Sequence, residues 1–338
     1  MRLKISVIMV VLLSLVGCQD LEALLDNKNQ DSGNQVEVVN LDPETYVVVD
    51  GDAYYKSSYV YKETQTGPLS LDLVLPNQGQ EGLLPVLVYV HGGDFTDGDK
   101  AEAYGRDFIG LINGYFLNHG YAVVAVNYRL ADQEAQTSIY HAIEDVKTSI
   151  DWLRSQSSDL GLDPDRIGVM GNGAGGALAS FIAYTEPEEF ILGDVVGGQS
   201  KPVNFVINLY GSDTRLYDMD DELKGKLNEN DSEALAALTD IAFKVGVYDP
   251  MDGQGLLRAF EDLNVINYLD DQEIASFIMH GTQDDRVDVL QSKVLADQLE
   301  VLGLVYTYEE VDSDLDQLGY KEKKAYIEAL FEFANQNN

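Results

Sequence analysis

From residue 47 onward, short apolar runs alternate with longer segments in which apolar residues recur at helical spacing. The runs at 85–90 and 121–126 are continuous, as in strands buried on both faces of a parallel sheet. Residues 139–153 place Ile, Val and Leu three or four positions apart, which predicts an amphipathic helix. Further strands are predicted at 47–49, 58–61, 69–75, 167–170, 205–209, 276–279 and 305–311, and further helices at 289–302 and 321–335. Strands that alternate with helices predict an α/β fold, a mostly parallel central sheet with helices on both faces.

Two details of this pattern bear on function. Tyr59 and Tyr61 share one face of a predicted strand, which we interpret as partial burial, with sugar stacking as the alternative. Residues 212–272 are less regular and very acidic. We expect them to form a small lid-like helical insertion above the edge of the sheet where a ligand would enter.

The first residues predict export. Arg2 and Lys4 precede an apolar run at 5–16 that is too short to span a bilayer, which needs about 20 residues. The run leads into Leu-Val-Gly-Cys, which resembles the bacterial lipobox and ends at Cys18. We expect 1–17 to be a lipoprotein signal peptide, 18–44 an acidic flexible tether and 45–338 the folded domain. The alternative is an ordinary signal peptide with an incidental cysteine.

Composition narrows the possible partners. The chain has 338 residues, with 58 Asp and Glu against 22 Lys and Arg, a net charge of −36. This charge argues against nucleic acid as a partner and against general adhesion to anionic lipid. The hydrophobic fraction of 45% excludes wholesale disorder, and a single cysteine excludes an internal disulfide. The sequence specifies no oligomeric state.

Five short motifs occur in a fixed order along the chain. They are His-Gly-Gly-Asp-Phe at 91–95, Asn-Tyr-Arg-Leu at 127–130, Ala-Ile-Glu-Asp-Val at 142–146, Asp-Pro-Asp-Arg-Ile-Gly-Val-Met-Gly at 163–171 and His-Gly-Thr-Gln-Asp-Asp-Arg-Val at 280–287. The set resembles α/β-hydrolase-fold esterases and lipases over about residues 45–336. It is most similar to the branch with hormone-sensitive-lipase-like and bacterial feruloyl-esterase-like or acetyl-xylan-esterase-like enzymes.

The resemblance implies a serine nucleophile on a strand-to-helix elbow, a histidine base and an orienting carboxylate. The elbow segment at 171–176 reads Gly-Asn-Gly-Ala-Gly-Gly, so Gly173 occupies the nucleophile position. Asp284 matches the carboxylate, with Asp285 as the alternative if the register differs by one. The backbone N–H groups of Gly92, Gly93 and Ala174 match the oxyanion hole.

The base is missing from its expected place. The family's histidine lies after the last strand, where residues 312–319 contain none. The four histidines of the chain are His91, His119, His141 and His280. We interpret His91 and His280 as structural parts of their motifs. We do not expect His119 or His141 to be a relocated base.

Other groups are poor substitutes for the triad. Ser180 lies about 10 Å further along the helix after the elbow, and Ser212 follows a strand and could line the mouth of the pocket. Three alternating acids after the last strand resemble a calcium loop, but Gln317 and Lys323 stand where such a loop needs Gly and Glu. A second acidic cluster could bridge a hard cation, although solvated surface charge is the simpler interpretation. These clusters are Asp312, Asp314 and Asp316, and Asp94, Asp97 and Asp99. We predict no metal and no cofactor.

The sequence therefore predicts a lipid-anchored envelope protein. Because the residue after Cys18 is not Asp, we expect it at the bacterial outer membrane. Its esterase-type fold would have lost serine-hydrolase catalysis and would bind a small molecule, an ester or carbohydrate ligand, or a protein partner. One alternative is an active carboxylic-ester hydrolase with an atypical nucleophile, acting on acyl esters such as those of polysaccharides. Another is a structural protein whose acidic face contacts an envelope component.

Overall fold

A nine-stranded sheet forms the centre of the protein, with strand order β1-β2-β3-β5-β4-β6-β7-β8-β9. The computed structural model describes residues 45–77, 82–192, 202–211, 232–270 and 274–338. The first three pairings in that order are antiparallel and the other five are parallel, which confirms the predicted α/β fold. The strands are β1 (Thr45–Val49), β2 (Asp52–Thr64), β3 (Gly67–Val74), β4 (Leu84–Val90), β5 (Ala122–Val126), β6 (Leu162–Asn172), β7 (Phe205–Leu209), β8 (Ala275–Gly281) and β9 (Tyr306–Val311).

Helices cover both faces of the sheet and enclose two cores. On β4, Val86, Val88 and Val90 enter one core while Leu87 and Tyr89 enter the other, as the pleat of a strand requires. Helices α1 and α7 bury residues in the core of Leu87, and the remaining helices bury residues in the core of Val88. The helices are α1 (Phe108–Asn118), α2 (Ile139–Leu160), α3 (Ala174–Tyr184), α4 (Ser232–Lys244), α5 (Gly253–Asp262), α6 (Leu290–Leu302) and α7 (Tyr320–Asn337).

Three features extend the sequence-based picture. Strand β2 runs well beyond the predicted 58–61 on both sides, and helix α1 had no counterpart among the predicted helices. Helix α1 is apolar around most of its circumference, so it lacks the polar face that makes an amphipathic period visible. Tyr59 and Tyr61 are both buried; Tyr59 packs on Trp152 and the Tyr61 hydroxyl donates to the carbonyl of Asn127.

Several sequence-based predictions lie outside the described residues. They are the signal peptide at 1–17, Cys18, the tether at 18–44 and Ser212. Within 212–272, the described part consists mainly of α4 and α5 with a short turn of helix after them. In the described ranges, no helix combines the length and apolarity that a bilayer crossing requires.

Two of the sequence motifs meet in a buried ionic cluster. The Arg129 guanidinium lies 2.7 Å from Asp145 and 2.6 Å from Glu144. The Lys62 ammonium contacts the same two carboxylates at 2.7 and 2.9 Å. Because two cations face two anions, these buried charges are compensated. The cluster therefore fixes the start of α2 against the loop that follows β5.

Candidate active site

The predicted site residues gather at the carboxyl ends of the parallel strands. Strand β4 pairs with β5 on one side and β6 on the other, so the order of the chain reverses there. In open α/β sheets, ligands bind outside the carboxyl ends of the strands at such a reversal. The loop after β4 carries Gly92 and Gly93, the turn after β6 is Gly173, and the turn after β8 holds Asp284.

Gly173 forms the elbow between β6 and α3. Its backbone has φ 54° and ψ −119°, a sparsely populated conformation that glycine adopts readily. Its N–H donates to the carbonyl of Leu209 and its carbonyl accepts from Ala177, so the turn is fixed at both ends. A Cβ atom built on Gly175 would overlap the carbonyl oxygen of Val90, so this glycine is required for α3 to approach β4. Residue 173 therefore forms the strand-to-helix elbow that the resemblance implies, with glycine at the turn.

Space for a side chain remains at the elbow. A Cβ atom on Gly173 would lie 3.7 Å from Cε2 of Tyr210, an ordinary van der Waals distance. The Tyr210 hydroxyl accepts a hydrogen bond from the Asn172 side-chain amide, and that side chain accepts one from the Tyr89 hydroxyl. The Arg286 guanidinium lies 6.0 Å from the centre of the Tyr210 ring. Tyr210 therefore forms one wall of the space that a serine side chain would enter.

The loop after β4 is held in a fixed conformation. His91 stacks on Tyr128 with ring centres 4.3 Å apart, and the Tyr128 hydroxyl donates to the carbonyls of His91 and Gly92. Burial lowers the pKa of His91, so its ring is neutral at pH 7. Gly93 has φ 99°, which turns the chain back so that its carbonyl accepts from residues 96 and 97.

The three N–H groups assigned to the oxyanion hole remain available. Gly92 lies against the elbow, since a Cβ atom on it would be 2.9 Å from the carbonyl oxygen of Asn172. Within the described ranges, the N–H groups of Gly92, Gly93 and Ala174 donate to no acceptor. Ala174 is the first residue of α3, whose N-terminal end carries positive partial charge. The loop and the helix therefore offer donors to an anionic or carbonyl oxygen.

The Asp284 carboxylate forms its hydrogen bonds within its own turn. One carboxylate oxygen accepts hydrogen bonds from the N–H groups of Arg286 and Val287 at 2.8 and 2.9 Å. The other lies 3.8 Å from Nε2 of His280, and the side chain is only 5% exposed. Its neighbour Asp285 is exposed. The segment at 312–319 packs against this turn, because the Thr282 hydroxyl donates to the side chain of Asp312, and it supplies no imidazole.

No histidine faces the elbow as a base. In His280, Nε2 donates to the carbonyl of Val287 and Nδ1 accepts from the Ser292 hydroxyl, so neither ring nitrogen is available; burial also lowers its pKa. His141 accepts the backbone N–H of Ser138 and caps α2. His119 lies at the end of α1, stacked on Tyr115. The described part of the chain therefore offers no proton acceptor at Gly173.

The other nucleophile and metal candidates are engaged elsewhere. Ser180 is fully buried, donating to the carbonyl of Gly176 and accepting from Asn208. The carboxylate of Asp97 accepts from the N–H of Gly98, and that of Asp99 caps a short helix and accepts from Asn127. In the described part of the chain, no three acidic, His or Cys side chains converge as a metal site.

Lys244, the last residue of α4, was not among the site residues predicted from the sequence. Its ammonium lies 2.5 Å from the carboxylate of Asp94 and 2.9 Å from that of Asp240. Asp94 belongs to the loop after β4, residues 91–99, which carries Gly92 and Gly93 and is called the oxyanion loop below. Burial lowers the pKa of Lys244, but its bonds to these two carboxylates outweigh that effect and raise it above the ordinary value. No sequence pattern pointed to this residue, because its partner Asp94 lies in a loop 150 positions earlier.

The elbow, the oxyanion loop and the sheet together define an esterase-type α/β-hydrolase fold. The chain belongs to the BD-FAE family, whose model matches residues 71–299. It is 26% identical over 226 residues to the probable carboxylic ester hydrolase LipM of Mycobacterium tuberculosis, covering 66% of this chain and 47% of LipM. The chain thus spans about half the length of this relative.

Two esterases are among the solved structures that share the fold. One is a butyrate-bound esterase of Thermogutta terrifontis, with a TM-score of 0.61, 20% identity and coverage of 82% of this chain and 93% of that chain. The other is a truncated carbohydrate esterase from gut microbiota, with a TM-score of 0.60, 21% identity and coverage of 82% and 96%. The predicted family and fold are therefore confirmed.

Proposed function

We propose that this protein binds an acyl or carboxylate group at the elbow of an esterase fold and does not hydrolyse esters. The observation that carries the proposal is Gly173 at the nucleophile position, with no base beside it among the described residues. Removing the nucleophile or the base of a serine-hydrolase triad costs on the order of a million-fold in turnover. Neither group occupies its expected position in the described part of the chain, which supports binding without hydrolysis.

The donors of the site support binding. The N–H groups of Gly92, Gly93 and Ala174 would donate hydrogen bonds to a carbonyl or carboxylate oxygen, and the N-terminal end of α3 favours negative charge. The space between Gly173 and Tyr210 would admit the carbon of an acyl group where a serine side chain would otherwise lie. A butyrate-bound esterase of the same fold supports a short carboxylate as ligand. The carbohydrate esterase among the structural relatives supports an acylated sugar as its source.

Hydrolysis of a chromogenic ester by the purified chain tests the proposal. Gly173→Ala is the matched control, because it adds the same Cβ atom as Gly173→Ser but no hydroxyl. We expect 4-nitrophenyl acetate turnover by the unchanged protein to equal that of Gly173→Ala. We expect Gly173→Ser to react slowly, because an oxyanion hole alone retains about 10³–10⁴-fold over water. Turnover by the unchanged protein above a blank carried through the same purification would reject the proposal, because a nucleophile elsewhere would leave Gly173→Ala equally active.

Binding is tested separately with sodium butyrate. Saturation-transfer NMR on the unchanged protein should show contact between butyrate methyl groups and the protein. Gly173→Phe should abolish the signal by filling the space beside Tyr210, whereas the exposed change Val301→Ser should not. A signal that survives Gly173→Phe in a folded protein would place butyrate elsewhere and reject elbow binding.

The relatives favour a second candidate function, an active carboxylic-ester hydrolase, because LipM is named as a probable one. This function would require a nucleophile other than the residue at 173. The two candidates differ in one result. An active enzyme would form an adduct with a fluorophosphonate reagent, which mass spectrometry would locate, while the unchanged protein should form none under our proposal.

We also propose that the protein is exported and anchored by lipid at Cys18. The basic start, the short apolar run and the position of the only cysteine support this location.

A further inference from the structure

The cap of helix α2 depends on a histidine. Ser138 immediately precedes the helix, and its backbone N–H donates to Nδ1 of His141 at 3.1 Å. The Ser138 hydroxyl lies 3.2 Å from the same nitrogen. At this third helical position, a capping box ordinarily carries Glu or Gln. Because Nδ1 accepts a hydrogen bond only while it carries no proton, the cap depends on a group that titrates near neutral pH.

Charged groups from three elements surround this half-buried imidazole. Burial has the largest effect and lowers the pKa of His141. Arg129, in the loop after β5, and Lys62, on β2, lower this pKa further. Asp145 and Glu144, on α2 itself, oppose them and raise it. Since these two cations and two anions also pair with one another, they leave little net charge to stabilise an imidazolium. The N-terminal end of α2 disfavours a cation as well.

The residues beside this cap hold the α4–α5 connection, residues 245–252. The Tyr248 hydroxyl donates to the carbonyl of Gln136 at 2.7 Å. Gly246 lies against Ser138, since a Cβ atom on this glycine would be 3.3 Å from the Ser138 hydroxyl oxygen. Gln136 has φ 55°, in the left-handed region that a non-glycine residue rarely adopts, so this attachment point is strained. The connection is therefore fastened to the chain just before α2.

A third contact fastens α5 to the same turn. Tyr140, in the first turn of α2, donates its hydroxyl to the carboxylate of Asp262, the last residue of α5, at 3.2 Å. At its other end, the connection directly follows Lys244, whose ammonium contacts Asp94 of the oxyanion loop. The α4–α5 connection therefore lies between the cap of α2 and the oxyanion loop.

We propose that protonation of His141 releases the α4–α5 connection from α2, which makes this contact a pH-sensitive latch. An imidazolium presents an N–H at Nδ1, so the backbone N–H of Ser138 loses its acceptor and faces a donor. The first turn of α2 then opens, and the contacts made by Gln136 and Tyr140 weaken. The proposal goes beyond the proposed function, because it requires no ligand at the elbow.

The direction of the effect follows from proton linkage. In the latched state the pKa of His141 is lowered, whereas in the released state it regains its ordinary value of about 6.5. The released state therefore binds the proton more tightly and gains population as pH falls below about 6.5. Between about pH 7.5 and about pH 5.5, we expect the equilibrium to shift toward release by about three- to tenfold.

Amide hydrogen exchange of the purified full chain, followed by mass spectrometry at these two pH values, tests the proposal. Each rate is divided by that of an unstructured peptide at the same pH, which gives the protection of each segment. We expect the protection of residues 136–141 and 245–252 to fall by about three- to tenfold at the lower pH. The protection of α3, which makes none of these contacts, should stay unchanged.

Matched variants separate the latch from general acid sensitivity. His141→Gln keeps an acceptor that does not titrate, so both segments should remain protected at the lower pH. His141→Ala removes the acceptor, so both should lose protection already at the higher pH. His119→Gln removes an exposed histidine elsewhere and should keep the acid effect.

Three results would overturn the proposal. The first is unchanged protection of both segments in the unchanged protein at the lower pH. The second is an equal loss of protection in α3, which would show that acid loosens the whole domain. The third is a full acid effect in His141→Gln, shown to be folded by circular dichroism, because the titrating group would then lie elsewhere.

Discussion

The ammonium of Lys244 lies 2.5 Å from the carboxylate of Asp94, which joins the end of α4 to the loop that carries the oxyanion donors. The lysine side chain is 6% exposed, whereas that of Asp94 is 73% exposed. Asp94 has φ 52°, in the left-handed region that a non-glycine residue rarely adopts. The ion pair therefore helps to hold this loop in its strained conformation.

Replacing Lys244 should destabilise the protein. Lys244→Met leaves the carboxylates of Asp94 and Asp240 facing each other without a cation, and the free energy of unfolding should fall by about 1–3 kcal/mol. Asp94→Asn keeps the Lys244–Asp240 pair and should cost less than about 1 kcal/mol, since Asp94 is exposed. Urea unfolding of both single variants and the double variant measures the coupling. Costs that simply add would show that Lys244 and Asp94 do not stabilise each other.

Acid should weaken the contribution of Glu144. Burial alone would raise the pKa of this carboxyl, but Lys62 and Arg129 outweigh burial and hold it below its ordinary value. A carboxyl with a depressed folded pKa stabilises the protein above its unfolded pKa of about 4.3, and loses that effect as pH falls through the folded pKa. Glu144→Gln should lower the free energy of unfolding by about 2 kcal/mol at pH 7.

The difference in the free energy of unfolding between the unchanged protein and Glu144→Gln isolates the contribution of Glu144 from those of the other acids. It should stay constant from pH 7 to about 5 and shrink below about 4.3. Glu63→Gln, an exposed carboxyl on the same strand as Lys62, is the control. A difference for Glu144→Gln that grows on acidification would contradict the assignment of charge in this cluster.

The two elbow glycines should respond differently to alanine. At Gly173, alanine meets Tyr210 only at 3.7 Å, so its cost is the backbone strain of φ 54°, about 1–3 kcal/mol. At Gly175, a Cβ atom overlaps the carbonyl oxygen of Val90, so α3 must move away from β4. We therefore expect Gly175→Ala to lower the urea midpoint more than Gly173→Ala does. The reverse order would mean that backbone strain at residue 173 outweighs the overlap at residue 175, and would contradict this assignment.

The centre of the sheet was predictable from sequence because its strands are buried on both faces. The continuous apolar runs at 85–90 and 121–126 became β4 and β5 nearly to the residue. Helix α1 was not predictable by period, because it buries most of its circumference, including Phe116 and Asn113. The periodic signal fails where a helix has no solvent-facing side.

Within the site, local motifs were visible and long-range pairings were not. The position of Gly173 followed from its flanking glycines, since a strand-to-helix elbow has a local sequence signature. The wall that Tyr210 forms beside Gly173 and the contact between Lys244 and Asp94 depend on how distant segments pack. No spacing along the chain encodes such contacts, so only the structure reveals them.

Lipid attachment at Cys18 remains a prediction from sequence, because this residue lies outside the described ranges. Metabolic labelling of a Gram-negative host with alkyne-tagged palmitate should place label on the full-length protein and recover it in the membrane fraction. Cys18→Ala should remove the label. It should also release the protein from membranes, because it removes the residue that carries the anchoring acyl chains. The chain has no other cysteine, so residual labelling of this variant could not come from a second thiol. A Cys18→Ala protein that is unlabelled but still sediments with membranes would show that lipid at Cys18 is not needed to hold it there.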